Sequence, residues 1–183
     1  MSATTPRIPL LERESVTPET QAIYDALLAQ RGVVPNMFKV LAYNSGIAAA
    51  MAGFLKALLS DGALKGWYKE LVAVRISTLM QSEYAIRAHN ASARKKGASE
   101  EQIAGVPEFE KGPYSAREKL GFCLADKLHR GPKEVDDAFF TELKKEFADA
   151  ELVELLLTAS AFEMFPRFID GLHIPVTPLP ASK

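Results

Sequence analysis

A single cysteine, Cys123, stands among 183 residues, so an intramolecular disulfide is impossible and a reducing compartment is expected. Long hydrophobic runs are missing too. The longest uncharged stretch, Val40 to Leu55, has 16 residues and includes Asn44, Ser45, Gly46 and Gly53, short of the roughly 20 apolar residues that span a bilayer, so no membrane association is expected. Neither sign of charge dominates: 22 lysines and arginines face 23 aspartates and glutamates. The basic clusters Arg94-Lys95-Lys96 and Lys144-Lys145 lie beside acidic neighbours, which argues against nucleic acid as a partner. Glycine and proline, 11 of each, sit at background level and exclude collagen-like and linker-like chains. Met1 to Leu11 lacks a basic start followed by an apolar segment, so no secretory signal is read and a cytoplasmic location is expected. No alternating run flanks a hairpin turn, so strands are not expected.

What is present is the composition of a globular domain, 48% apolar and 25% charged, written almost throughout with a helical period. At this length one core can bury roughly 70% of the surface of the unfolded chain. Thr17-Pro18-Glu19 supplies an N-cap, a first-turn proline and a first-turn acid for a helix that ends at Arg31-Gly32. Asn36 is read as the cap of a short helix, and an alanine-rich helix spans Ile47 to Leu59. Leu64, Trp67, Tyr68, Leu71, Val74, Thr78 and Leu79 form an amphipathic face. Ser99 with Gln102 and Ser115 with Glu118 have capping-box spacing. A further helix is expected from Asp136 to Phe147 with Phe139, Phe140, Leu143 and Phe147 inward. Asp149 is read as the cap of the last one, whose run Leu152, Val153, Leu155, Leu156 and Leu157 reads as fully buried. Pro166 is expected to kink or break that helix, and Gly171 to end it. The fold class is therefore all-α, with about seven to nine helices. The expected organisation is an extended arm over residues 1–16, one helical domain over 17–173 and an extended tail over 174–183.

Chemistry is concentrated between Glu70 and His89. Ser82 is read as the N-cap of a helix reaching Gly97, which places 82, 85 and 89 on one face. Glu70 belongs to the preceding helix, which must fold back near Met80-Gln81 to bring its carboxylate to that face. Two readings of Glu70 stand: a carboxyl raised by apolar neighbours until it exchanges protons near neutral pH with His89, or a structural glutamate satisfying the positive end of its own helix or pairing with Arg75 or Arg94. Tyr84 either offers its phenol to a developing oxyanion or packs. Arg75 or Arg87 is the candidate anchor for a substrate carboxylate. Ser82 is too far along the helix for His89 to activate it: seven residues are about 10.5 Å of rise. Cys123, in Leu120-Gly121-Phe122-Cys123-Leu124, reads as a buried structural thiol. His129 and His173 lie near helix ends, where the dipole accounts for them. No metal-ligand spacing is present, and no cofactor is expected.

Glu70, then eleven residues, then Ser82-Glu83-Tyr84-Ala85, then His89 resembles the carboxymuconolactone decarboxylase and alkylhydroperoxidase D superfamily. That family has a glutamate, a Cys-x-x-Cys pair and a histidine at these spacings. The flanks agree: Lys69-Glu70-Leu71-Val72 leads in, Arg94-Lys95-Lys96-Gly97-Ala98-Ser99 leads out, and Phe162 to Phe168 follows near the C-terminus. The likeness runs from about residue 35 to 175. It implies a helical fold assembling as trimers or hexamers, with Glu70 and His89 as the retained proton relay. Ser82 and Ala85 stand where the family has its thiols, so the disulfide cycle of the peroxidase branch has no sulfur here. The function expected is cofactor-free acid–base chemistry, decarboxylation or isomerisation, on a small carboxylated lactone, oxoacid or aromatic-derived acid. The alternatives are a non-catalytic oligomeric binding or scaffold protein, and alkylhydroperoxidase activity by family label.

Overall fold

A computed structural model describes residues 5–178. Among them are nine α-helices and no strand: α1 Pro18–Arg31, α2 Asn36–Leu41, α3 Ser45–Leu59, α4 Gly66–Leu79, α5 Glu83–Lys95, α6 Glu100–Gly105, α7 Ala116–Arg130, α8 Asp137–Glu146 and α9 Asp149–Gly171. The all-α expectation holds. The chain separates into two compact units, one made of the residues up to Ala57 together with those from Phe168 onward, the other of Leu58–Arg167.

In the first unit, Tyr24, Leu27, Met37, Phe38, Val40 and Ala48 are buried. Thr17 caps α1 through the Thr20 amide, and Gly32 closes it in the left-handed conformation at φ 75°, where a missing Cβ removes the steric cost. The segments outside the helices are tied down. Tyr24 donates its hydroxyl to the Leu11 carbonyl at 2.9 Å, and the Arg7 amide donates to the Leu172 carbonyl at 2.9 Å. Asn36 is not the cap of α2. Pro35 holds that position, and the Asn36 amide group donates to the Pro175 carbonyl at 3.1 Å, a tertiary use that outcompetes local capping. The parts of the expected arms at residues 1–4 and 179–183 lie outside the described residues.

In the second unit, α4 is the central helix, buried from Tyr68 to Val74 and again at Ile76 and Ser77. It packs along α5 and α7, with Leu71, Val72, Ile76, Phe122, Leu124, Leu143 and Leu155 fully enclosed. The chain reverses between α4 and α5 at Met80-Gln81, as the sequence requires. Gln81 takes φ 57° there, and the Ser82 amide donates back to the Ser77 carbonyl at 3.0 Å. Both capping boxes form, at Ser99–Gln102 and Ser115–Glu118, and Asp136 caps α8 through the Phe139 amide.

Further sequence expectations change, among them that of Asp149, which is the first residue of α9 and not its cap. Ser82 occupies the N-cap position of α5, yet its hydroxyl makes no cap hydrogen bond. The helix buried nearly all round is α4, whereas α9 leaves Val153 64% exposed and Leu157 and Met164 nearly half exposed. One stripe of Leu152, Leu155, Ala159 and Phe162 already fills its core side. Phe140 is outward on α8, which is anchored instead by Leu143 and Phe147. Helix α9 runs unbroken through Pro166 to Gly171; Phe162 and Phe165, on the turn before the proline, are both buried and 5.6 Å apart between ring centroids.

Candidate active site

The stripe that matters on α5 is Ala85, His89 and Ser92, continued by Lys96 at the helix C-cap, spaced at four, three and four residues so that all four share a face. Opposite them α4 presents Glu70, which is 0% exposed. The His89 Nδ1 lies 2.6 Å from Glu70 Oε2, and Ser92 donates its hydroxyl to Oε1 at 2.6 Å. Lys96 donates its ammonium to the same Oε1 and to the Leu59 carbonyl at 2.7 Å. Phe162 of α9 closes on the imidazole edge to face, 4.4 Å between ring centroids. His89 keeps 13% of its side chain exposed and Lys96 30%.

Burial alone pushes the Glu70 carboxyl up. The hydrogen bond and charge of His89, with the charge and hydrogen bond of Lys96, outweigh it and hold the group down at about 2. This corrects the expectation of a carboxyl raised toward neutrality: the apolar surroundings are real, but the His89 ring and the Lys96 ammonium sit inside them. An ionised carboxylate only accepts hydrogen bonds, so the His89 Nδ1 must carry a proton and donate it to Oε2. In the neutral ring Nε2 is then the lone-pair nitrogen. The arrangement is an imidazole fixed in one tautomer by an anion that stays an anion, able to take a proton at Nε2 and to give it back.

The remaining candidates sit elsewhere. Arg75 is spent on Asp126 through two bonds of 2.6 and 2.8 Å and on the Pro107 carbonyl at 2.9 Å. Arg87 is exposed and pairs with Glu83 one turn away at 2.9 Å. Neither contacts Glu70, and nor does Arg94, which binds Glu100. Ser82, Tyr84 and Ala85 are buried at the start of α5. Cys123 is half-buried, its thiol pushed up by burial and then by Asp126 and Glu110, the opposite of an activated nucleophile. Among the described residues no group of three or more His, Cys, Asp or Glu converges as a metal site, and no helix is long and apolar enough to cross a membrane.

Sequence reasoning missed Ser92 and Lys96. The period that linked Ala85 to His89 extends to both, but Lys96 closes a basic triplet weighed only as a nucleic-acid contact.

This is a helical fold with a buried glutamate on α4 and a histidine beside it on α5, and solved structures share the fold. The chain has a TM-score of 0.86 to an uncharacterised peroxidase-related protein from Silicibacter sp. TM1040 at 21% identity, covering 97% of this chain and 93% of that one. It has the same score to an alkylhydroperoxidase AhpD core, a peroxidase-related protein from Ralstonia eutropha JMP134, at 22% identity over 94% and 92%. The debrominase Bmp8 in complex with 2,3,4-tribromopyrrole follows at TM-score 0.81 and 17% identity, over 97% and 92%. No curated protein matches. Residues 46–110, which contain both site helices, match the carboxymuconolactone decarboxylase family.

Proposed function

We propose that the protein is a cofactor-free acid–base catalyst acting on a small carboxylated lactone, oxoacid or aromatic-derived acid, with His89 Nε2 as the group that moves the proton. One observation carries this reading: His89 Nδ1 is bonded at 2.6 Å to a carboxylate sealed from water. That bond leaves Nε2 as the free basic position and stabilises the imidazolium formed when it takes a proton. In a decarboxylation, Nε2 first takes a proton from solvent; the bond between the substrate carbon and its carboxylate breaks, carbon dioxide leaves, and the electron pair left on carbon takes that proton, returning the ring to its neutral form. In an isomerisation the same nitrogen removes a proton from one carbon and returns it to another. Glu70 orients and does not shuttle. Tyr84 has no step in this scheme, and Arg75 and Arg87 are engaged elsewhere. The bound tribromopyrrole of the debrominase supports a ligand of small aromatic size. The sulfur-free positions Ser82 and Ala85 leave no dithiol cycle at this site. Self-association as a trimer or hexamer is proposed with it, from the family resemblance.

The test is turnover of a panel of such acids by the wild type, Glu70→Gln and His89→Gln. Acid–base catalysis of this kind contributes roughly 10²–10⁴-fold, and losses in that range are expected from both substitutions. Activity indifferent to both removes the pair from the chemistry. A second reading, a non-catalytic oligomeric binding protein, is favoured by the burial of Ser82 and Ala85; it is supported if the panel binds and nothing turns over.

A further inference from the structure

Glu70 is bound on two sides. His89 takes Oε2, while Lys96 and Ser92 both approach Oε1. Lys96 stands at the end of the helix that carries His89 and is braced by the Leu59 carbonyl at 2.7 Å, so its ammonium is aimed rather than free. Its side chain is 30% exposed while the carboxylate is sealed, which means the cation reaches inward from a partly wet position. A buried carboxylate facing only a neutral imidazole and a hydroxyl would keep two hydrogen bonds but have no opposite charge against it. We propose that Lys96 is a positioning residue for His89: its charge keeps Glu70 a carboxylate, and the carboxylate in turn keeps the proton on Nδ1 and the lone pair on Nε2.

The groups around the imidazole leave few rivals for this role. Helix α4 contributes Glu70; α9 contributes the uncharged Phe162 ring; α5 contributes Ser92 and, through its C-cap, Lys96. Arg75, Arg87 and Arg94 are paired with Asp126, Glu83 and Glu100. Lys69, the neighbour of Glu70 in sequence, is bound to Glu154 at 2.8 Å. Lys96 is thus the one ammonium or guanidinium on Glu70 among the described contacts. The spacing adds to the argument. Lys96 lies seven residues after His89, two helical turns on, so one helix delivers both the base and the charge that orders it.

This inference rests on the reading of His89 as the acid–base group, and its test is independent of turnover. The Glu70 side-chain carboxyl is followed by carbon NMR through an acid titration, and the His89 ring by nitrogen NMR at neutral pH, in the wild type, Lys96→Met, Lys96→Gln and Lys96→Arg. In the Met and Gln variants the Glu70 midpoint should climb from about 2 by one pH unit or more, at least a tenfold weaker acid. The share of His89 with its proton on Nδ1 should fall. Lys96→Arg, which keeps the charge, should restore both signals to within half a unit and to the wild-type tautomer. A Glu70 midpoint and a His89 tautomer unchanged in Lys96→Met or Lys96→Gln overturn the proposal. So does a chain that unfolds in both neutral variants yet shows an altered carboxyl in Lys96→Arg, since that pattern assigns Lys96 to packing. If the carboxyl shifts as stated while no acid in the panel is turned over, the functional reading fails and this one stands.

Discussion

Two histidine–glutamate pairs in the larger unit have the same separation and opposite settings. His89 Nδ1 to Glu70 Oε2 and His129 Nδ1 to Glu163 Oε1 are both 2.6 Å. Glu70 is sealed and shares its oxygens with Ser92 and Lys96. Glu163 is 18% exposed, His129 29%, and the third partner is Arg167, on the open side of α9 at 2.9 Å. The bond length therefore says nothing about which pair does chemistry. What separates them is whether water competes for the carboxylate: a wet pair relaxes around any change, and a dry one cannot.

The largest test of this contrast is to neutralise each acid without changing its shape. Glu70→Gln strands an ammonium against a sealed neutral amide and should cost roughly 3–5 kcal/mol of unfolding free energy, whereas Glu163→Gln should cost under about 1 kcal/mol, both read from urea denaturation midpoints. Equal costs would erase the distinction drawn between the two sites. A step smaller is the acid dependence. Glu70 titrates lower in the folded chain, at about 2 against an ordinary 4.5, so the folded state binds fewer protons. Its contribution, about 3 kcal/mol at 1.36 kcal/mol per pH unit, is complete above pH 4.5 and is lost as pH falls toward 2. Between pH 6 and pH 3 the wild type should lose roughly 2 kcal/mol more than Glu70→Gln does, and parallel curves would show that the carboxyl is not held down. The smallest effect is that of salt. At 1 M ionic strength the Debye length is about 3 Å, so the coupling in a double-mutant cycle of Glu163 and His129, a few tenths of a kcal/mol at low salt, should vanish, while that of Glu70 and His89 persists.

The same contrast explains what could be read from the chain beforehand. Caps at Thr17, Ser99 and Ser115 formed as written, because a hydroxyl three residues from an amide is a local matter. Asn36 failed as a cap because its amide group is claimed by a carbonyl 139 residues away, a competitor no window of sequence contains. Glu70 and His89 were legible through spacing and through the reversal at Met80-Gln81. Their ionisation was not, since it depends on which of several cations turns inward. Arg75, Arg87, Arg94 and Lys96 look alike on paper, and only the fold commits the first three to Asp126, Glu83 and Glu100. The long apolar run of α9 misled for a related reason: hydrophobicity around a whole helix reports what a face tolerates, and the pattern of neighbours decides which face is covered.

The tight reversal at Met80, Gln81 and Ser82 has a consequence for how this site can change over generations. With no slack between the two helices, the imidazole meets its carboxylate only because seven residues separate Ser82 from His89. One residue added or removed in that interval would swing everything downstream by about 100° around the axis, carrying the ring, the hydroxyl and the ammonium away together. Replacement of the intervening side chains leaves that count unchanged; an insertion or deletion does not. What descendants of this chain must inherit intact is a distance along the backbone more than any particular residue within it.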